Sequence, residues 1–139
     1  MPARLFVDTN IWLYALVADD GNLKHRLAAE FVLGLTRPLV NSQVIREASS
    51  NLLKKAGIEE PRLRAIVGDW YRDCEIHPSN ATQHLLASKL RQSHRFSYWD
   101  SLIVAAALDA GCSALYSEDM QHGQIIDDRL TVINPLISP

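Results

Sequence analysis

A chain of 139 residues with 47% hydrophobic side chains fits one ordinary domain with a full core and is too short for two, so residues 1–139 are read as a single domain. Lys plus Arg total 14 against 16 Asp plus Glu, a net charge of −2 that excludes a protein gripping nucleic acid by bulk charge alone. No run reaches the roughly 18 apolar residues of a membrane span, and Met1-Pro2-Ala3-Arg4 lacks the apolar stretch of a secretory signal, so the expectation is a cytoplasmic protein without membrane contact.

Arg4-Leu5-Phe6-Val7-Asp8 reads as a short apolar strand ending on an acid, with a helix over 10–17 behind it. Asp19-Asp20-Gly21-Asn22 is a turn cluster. Beyond it Leu23, Leu27, Ala28, Phe31, Val32 and Leu35 fall at the three-and-four spacing of an amphipathic helix. A strand over 38–41 follows. Val44, Ile45, Ala48 and Leu52 give residues 42–56 one apolar helical face, with Gly57 as the C-cap. A helix over 59–73, a strand over 74–78 stopped by Pro78 and a helix over 81–92 make up the middle.

Residues 97–111 form the clearest helix. Ser97 stands where an N-cap belongs, and 102–108 is apolar on every side, the pattern of a helix buried all round. Short strands at 112–117 and 130–134 close the chain, the second against Pro135. Strands alternating with helices, without a hairpin dipeptide in the right place, specify the α/β class: a three-layer α/β/α sandwich around a short parallel sheet.

Several chemistries lack their residues. Cys74 and Cys112 form no CxxC pair and sit among apolar neighbours, as small buried side chains do. His25, His77, His84, His94 and His122 have no tight zinc spacing and read as surface or packing residues. The six glycines build no phosphate-cradling loop, and there is no GxSxG elbow. Trp12, Trp70 and Trp99 read as core rather than as stacking platforms. His84, Lys89, Arg91, His94 and Arg95 gather near Tyr98 and Trp99, a basic stretch that charge alone explains as a solvated helix face.

Four acids fall where a parallel α/β sheet builds its ligand crevice, beyond the carboxyl ends of the strands. Asp8 ends the first strand, Asp119 follows the strand over 112–117, Asp100 lies in the first turn of the buried helix and Glu47 sits on the helix after the second strand. Each has a plainer explanation. Asp8 could be a turn or helix cap, Ser97-Tyr98-Trp99-Asp100 has the spacing of a capping box, Glu47 could be a surface residue, and Asp119 competes with Glu118 in one loop. Convergence would distinguish the set, because carboxylates crowded together repel unless hard cations such as Mg²⁺ or Mn²⁺ join them. With four acids so committed, 14 basic groups face 16 − 4 = 12 remaining acids, and local basic patches could still attract a polyanion.

The ordered set Phe6-Val7-Asp8-Thr9-Asn10, Glu47, Ser97-Tyr98-Trp99-Asp100, Leu115-Tyr116-Ser117-Glu118-Asp119-Met120-Gln121-His122-Gly123 and the closing strand over 130–135 resembles the PIN-domain ribonucleases, specifically the VapC-type toxins of toxin-antitoxin pairs. The likeness runs over nearly the whole length. It implies an α/β/α domain that cuts RNA with Mg²⁺ or Mn²⁺ held by Asp8, Glu47, Asp100 and Asp119, with Thr9, Asn10 and Ser117 as supporting residues. It also implies a homodimer silenced by a cognate antitoxin protein, and it favours Asp119 over Glu118.

Two rival readings stay open on the residues alone. One is a Mg²⁺-dependent phosphatase or phosphotransfer domain, although the second Asp that haloacid-dehalogenase-like enzymes need two residues after the first is Asn10 here. The other is a non-catalytic interaction module that keeps the fold.

Overall fold

Six strands, β1 (Leu5–Val7), β2 (Leu39–Val40), β3 (Glu75–Ile76), β4 (Ala114–Tyr116), β5 (Ile125–Ile126) and β6 (Leu130–Ile133), form one sheet in the order β3-β2-β1-β4-β6-β5. They belong to a computed structural model that describes residues 3–137. β1 pairs in parallel with both β2 and β4, β3 extends the sheet beyond β2, and β6 extends it beyond β4, all in parallel. The chain therefore builds outward from β1 to β3 on one side, then returns to build β4 and β6 on the other. Where the order reverses, beside β1, neighbouring connections diverge and leave a crevice at the carboxyl ends of the strands.

The five strands read from the sequence are the five parallel ones; β5 is an addition. It runs antiparallel to β6, so the sheet is mostly rather than wholly parallel. Its turn carries Asp127 and Asp128, both at positive φ (52° and 53°), and closes with the Arg129 N–H on the Ile126 carbonyl at 3.1 Å. Positive φ at two successive residues is what a tight hairpin turn of this hand requires. Asp reaches that region because its short polar side chain tolerates it, but an Asp-Asp pair is a much weaker signal than Asn-Gly.

Among the described residues six helices connect the strands: α1 (Thr9–Leu16), α2 (Leu23–Leu33), α3 (Ser42–Lys54), α4 (Glu60–Asp73), α5 (Ala81–Ser93) and α6 (Tyr98–Asp109). Their starts are written locally. Asn22, Asn41, Asn80 and Ser97 each accept a first-turn backbone N–H with a side-chain oxygen, and α4 opens on Pro61 instead. α6 ends on Gly111 at φ 73°, where Gly111 and Cys112 donate to the Leu108 and Ala107 carbonyls at 3.0 and 2.9 Å. That pairing closes the helix end in the left-handed turn glycine accepts without strain.

Both faces of the sheet are covered. The consecutive residues Phe6 and Val7, Leu39 and Val40, and Ala114 and Leu115 point to opposite faces, and all are buried. α1 packs on α2 and α3, and α5 on α6, which supplies the two outer layers of an α/β/α sandwich. α6 is buried continuously from Ile103 to Leu108, as its all-round apolar sequence requires. Trp12 and Trp70 meet edge to face at 6.0 Å inside the core. Cys74 and Cys112 are buried and unpaired, and burial pushes each thiol up to about 11, which makes them poor nucleophiles. Among the described residues no helix is long and apolar enough to cross a membrane.

Candidate active site

Asp8 is the residue immediately after β1 and the N-cap of α1. It is only 5% exposed, an unusual place for a carboxylate, and two donors hold it: the Thr9 N–H on Oδ1 at 2.8 Å and the Ser117 hydroxyl on Oδ2 at 2.9 Å. Burial pushes its carboxyl up to about 6; the two hydrogen bonds oppose that shift, and the negative charges of Asp100 and Glu47 add to it.

Asp100 lies in the first turn of α6. Its backbone N–H donates to Ser97 Oγ at 3.1 Å, so the cap role falls to Ser97. Among the hydrogen bonds of the described residues there is no return bond from the Ser97 N–H to the Asp100 carboxylate, and the capping-box reading accounts for half of the motif only. The half-buried carboxyl is raised, first by burial and then by the charges of Asp119 and Glu47, while the Ser97 hydroxyl opposes the shift.

Glu47 rises from α3. Thr9 Oγ1 donates to its Oε2 at 3.2 Å and Gln43 Nε2 to its Oε1 at 2.9 Å. Gln43 also donates to the Trp99 carbonyl at 3.2 Å and so joins α3 to the start of α6. Nothing in the sequence marked Gln43 for this; the usable signal was its i,i+4 spacing from Glu47, which lets an amide reach a carboxylate along a helix.

The loop after β4 separates its two acids. Glu118 turns away, accepting from the Tyr14 hydroxyl at 2.9 Å and pairing with Lys24 at 2.6 Å. Asp119 stays exposed on the side of Asp100, its backbone N–H on Ser117 Oγ at 3.3 Å. Asn10 Oδ1 accepts the Glu118 N–H at 3.4 Å, and Asn10 Nδ2 is buried without a partner. Thr9, Asn10 and Ser117 therefore all touch the acids or the loop that carries them.

The charges of Asp100 and Glu47 thus act on Asp8, and those of Asp119 and Glu47 on Asp100, and none of the four has an ion-pair partner among the described residues. They do not close into a cage: among the described residues no group of three or more His, Cys, Asp or Glu side chains could hold a metal ion on its own. The donor chemistry still suits one kind of ion. The group is all oxygen, and Mg²⁺ is commonly bound through one or two carboxylates with waters and substrate phosphate rather than by a complete protein shell.

Trp99 departs from the expectation that it is core. Trp99 is 61% exposed and Tyr98 is 51% exposed: the first turn of α6 lies at the surface, and only from Ser101 onward is the helix buried. Of the basic stretch, Arg91 is committed to Ser101 Oγ at 2.8 Å and lies over the Tyr98 ring at 4.9 Å. His77 is bound to Asp109 at 2.8 Å, a packing role of the kind expected for the histidines.

A mostly parallel sandwich of this topology with an oxygen-only acid group at its switch point defines a class, the α/β domains whose site lies beyond the carboxyl ends of the strands. Within that class the chain belongs to the PIN-domain family, whose model matches residues 5–125, a stretch that contains all four acids. Among solved structures it is similar to the VapC20 toxin of Mycobacterium tuberculosis, a sarcin-ricin loop cleaving toxin, with a TM-score of 0.65 and 19% identity over 83% of this chain and 89% of the other. At that identity the likeness speaks for the fold. No curated protein matches the sequence.

Proposed function

We propose that the protein is a Mg²⁺- or Mn²⁺-dependent endoribonuclease and the toxin of a toxin-antitoxin pair. The observation that carries the reading is that Asp8, buried at the end of β1, feels the charges of Asp100 and Glu47, while Asp100 feels those of Glu47 and of Asp119 from the loop after β4, in a chain of the PIN-domain family. Crowded carboxylates without counter-charge cost stability, and a cation arriving with a phosphodiester relieves that cost. The structural likeness to a sarcin-ricin loop cleaving toxin supports RNA as the polymer.

In this reading Asp8, Glu47, Asp100 and Asp119 are the residues that would hold the cation. When bound, such an ion lowers the pKa of water and stabilises negative charge on a phosphodiester undergoing attack. The chain's own contribution is positioning. Thr9 N–H and the Ser117 hydroxyl fix both oxygens of Asp8, Thr9 Oγ1 and Gln43 fix both oxygens of Glu47, and Ser97 sets the turn that presents Asp100. The Glu118 contacts with Tyr14 and Lys24 anchor the loop that carries Asp119. A homodimer working in the cytoplasm, with a protein antitoxin masking the acidic crevice, completes the proposal.

The test is cleavage of a mixed pool of structured cellular RNAs with Mg²⁺ or Mn²⁺, beside EDTA and Asp100→Asn controls. Cutting that needs the cation and vanishes in the variant is the expected result. A phosphoenzyme trapped on the wild type would move the reading to phosphotransfer, and equal inertness of wild type and variant on every RNA would move it to a non-catalytic module.

A further inference from the structure

Beside the acids lies a cleft of about 770 Å³ whose walls include Gln43, Arg46, Glu47, His84, Tyr98 and Trp99. It falls within the roughly 300–1,000 Å³ typical of sites that take small molecules. Two large aromatic rings stand exposed there, packed edge to face at 5.1 Å. A solvated indole and phenol side by side form an apolar patch that is costly to leave bare. Arg46, exposed on α3 next to Glu47, makes no ion pair among the described residues, and His84 adds a second nitrogen donor. Glu47 lines the cleft and belongs to the acid group, and Gln43 bonds both Glu47 and the Trp99 carbonyl. The aromatic wall is therefore mechanically joined to the acids.

We infer that the Trp99–Tyr98 wall is a stacking platform for an unpaired RNA base next to the phosphate that is cut, with Arg46 contacting the backbone. The inference rests on the nuclease reading and makes it more specific: the substrate presents at least one splayed base, as loops and single strands do and intact duplexes do not. The occupant is assigned as a nucleotide rather than a protein because the cleft pairs an exposed π-face with an uncommitted cation and shares Glu47 with the acid group, the arrangement that a base and its phosphate need together. A purely apolar partner face would leave Arg46 and His84 unmatched.

The experiment follows a 12-nucleotide single-stranded RNA of mixed sequence binding to the full chain in EDTA, and cleavage of the RNA pool with Mg²⁺. Trp12 and Trp70 are buried, at 6% and 3% exposure, so Trp99 dominates any quenching of indole fluorescence by a stacked base. The expected results are quenching in the wild type, about a 10-fold loss of affinity with a matching rise in KM and near-constant kcat in Trp99→Leu, and near-wild-type affinity without quenching in Trp99→Phe. Arg46→Gln weakens binding and flattens its salt dependence. A Trp99→Leu protein that binds and cuts RNA as the wild type does overturns the platform and leaves the nuclease reading standing. A variant altered only in oligomeric state or in antitoxin affinity also overturns it and assigns the wall to a protein partner. A wild type that neither binds nor cuts RNA removes the nuclease reading and the platform with it.

Discussion

Ser117 and Asp8 are 109 positions apart in the chain, yet the Ser117 hydroxyl donates to Asp8 Oδ2 at 2.9 Å. The bond exists because β1 and β4 lie side by side in parallel, with Val7 opposite Tyr116, so the residue after each strand emerges at the same end of the sheet. The same hydroxyl oxygen accepts the Asp119 N–H at 3.3 Å. One fully buried side chain thus orients one acid and the loop of another.

Ser117→Ala is expected to leave Asp8 with one donor and the Asp119 N–H without its side-chain acceptor. Removing one partner of a buried hydrogen bond costs about 1–3 kcal/mol, which denaturant unfolding will show. Cleavage should fall about 10-fold or more, since poorly oriented acids hold a cation less well. Unchanged activity in a measurably destabilised protein would reduce Ser117 to a structural role.

Asp8 makes the cation-free protein pH-sensitive. Its carboxyl is raised from 3.8 to about 6 by burial, so the folded state takes up its proton more readily than the unfolded chain. Stability from this group is therefore full below about 3.8 and is lost as pH rises to about 6, by about 3 kcal/mol in all. In EDTA, Asp8→Asn should flatten that fall and melt above the wild type at pH 7. Adding Mg²⁺ should raise the wild-type Tm and leave the variant's nearly unmoved. A variant that unfolds would instead make Asp8 chiefly a structural cap.

The two acids of the β4 loop should separate by mutation. Asp119→Asn is expected to abolish most cleavage at normal stability, whereas Glu118→Gln, which removes the charge that meets Lys24, should lower the rate only several-fold by loosening the loop. Lys24→Met should reproduce the Glu118→Gln effect, because both variants break the same contact. If Glu118→Gln proves the more damaging change, the roles assigned to the two acids are reversed.

Asp109 carries the opposite pH sign. His77, Gln83 and Asn80 all bond its Oδ2, at 2.8, 3.0 and 3.0 Å, and hold its carboxyl below the usual value. Its contribution is present above 3.8, the ordinary value, and is lost as pH falls below it. Asp109→Asn should destabilise the protein at pH 7 and weaken the loss of stability on acidification, read by thermal melts from pH 7 to 3. An unchanged acid limb in the variant would remove Asp109 as its source.

Much of the architecture was legible because each parallel strand is a short apolar run and α6 carries its own start signal in Ser97; Asn41 and Asn80, which cap α3 and α5, show their role only in the structure. β5 escaped notice because two residues and an Asp-Asp turn give little local signal; its pairing with β6 is what makes it a strand. Trp99 differs from its core reading because an apolar residue in an apolar helix is core only where that turn of the helix is covered, and the first turn of α6 is exposed.

The sequence by itself determined the alternation of strands and helices and the buried character of α6, and it placed Asp8, Glu47 and Asp100 near the strand ends, since these follow from periodicity, capping chemistry and place along the chain; Asp119 over Glu118 came only from the family resemblance. Only the tertiary structure decided that Asp100 and Glu47 act on Asp8, that Glu118 turns to Lys24 while Asp119 acts on Asp100, and that Gln43 ties Glu47 to Trp99. Those relations depend on distances between segments far apart in sequence, and strand order and register fix such distances where local propensity cannot.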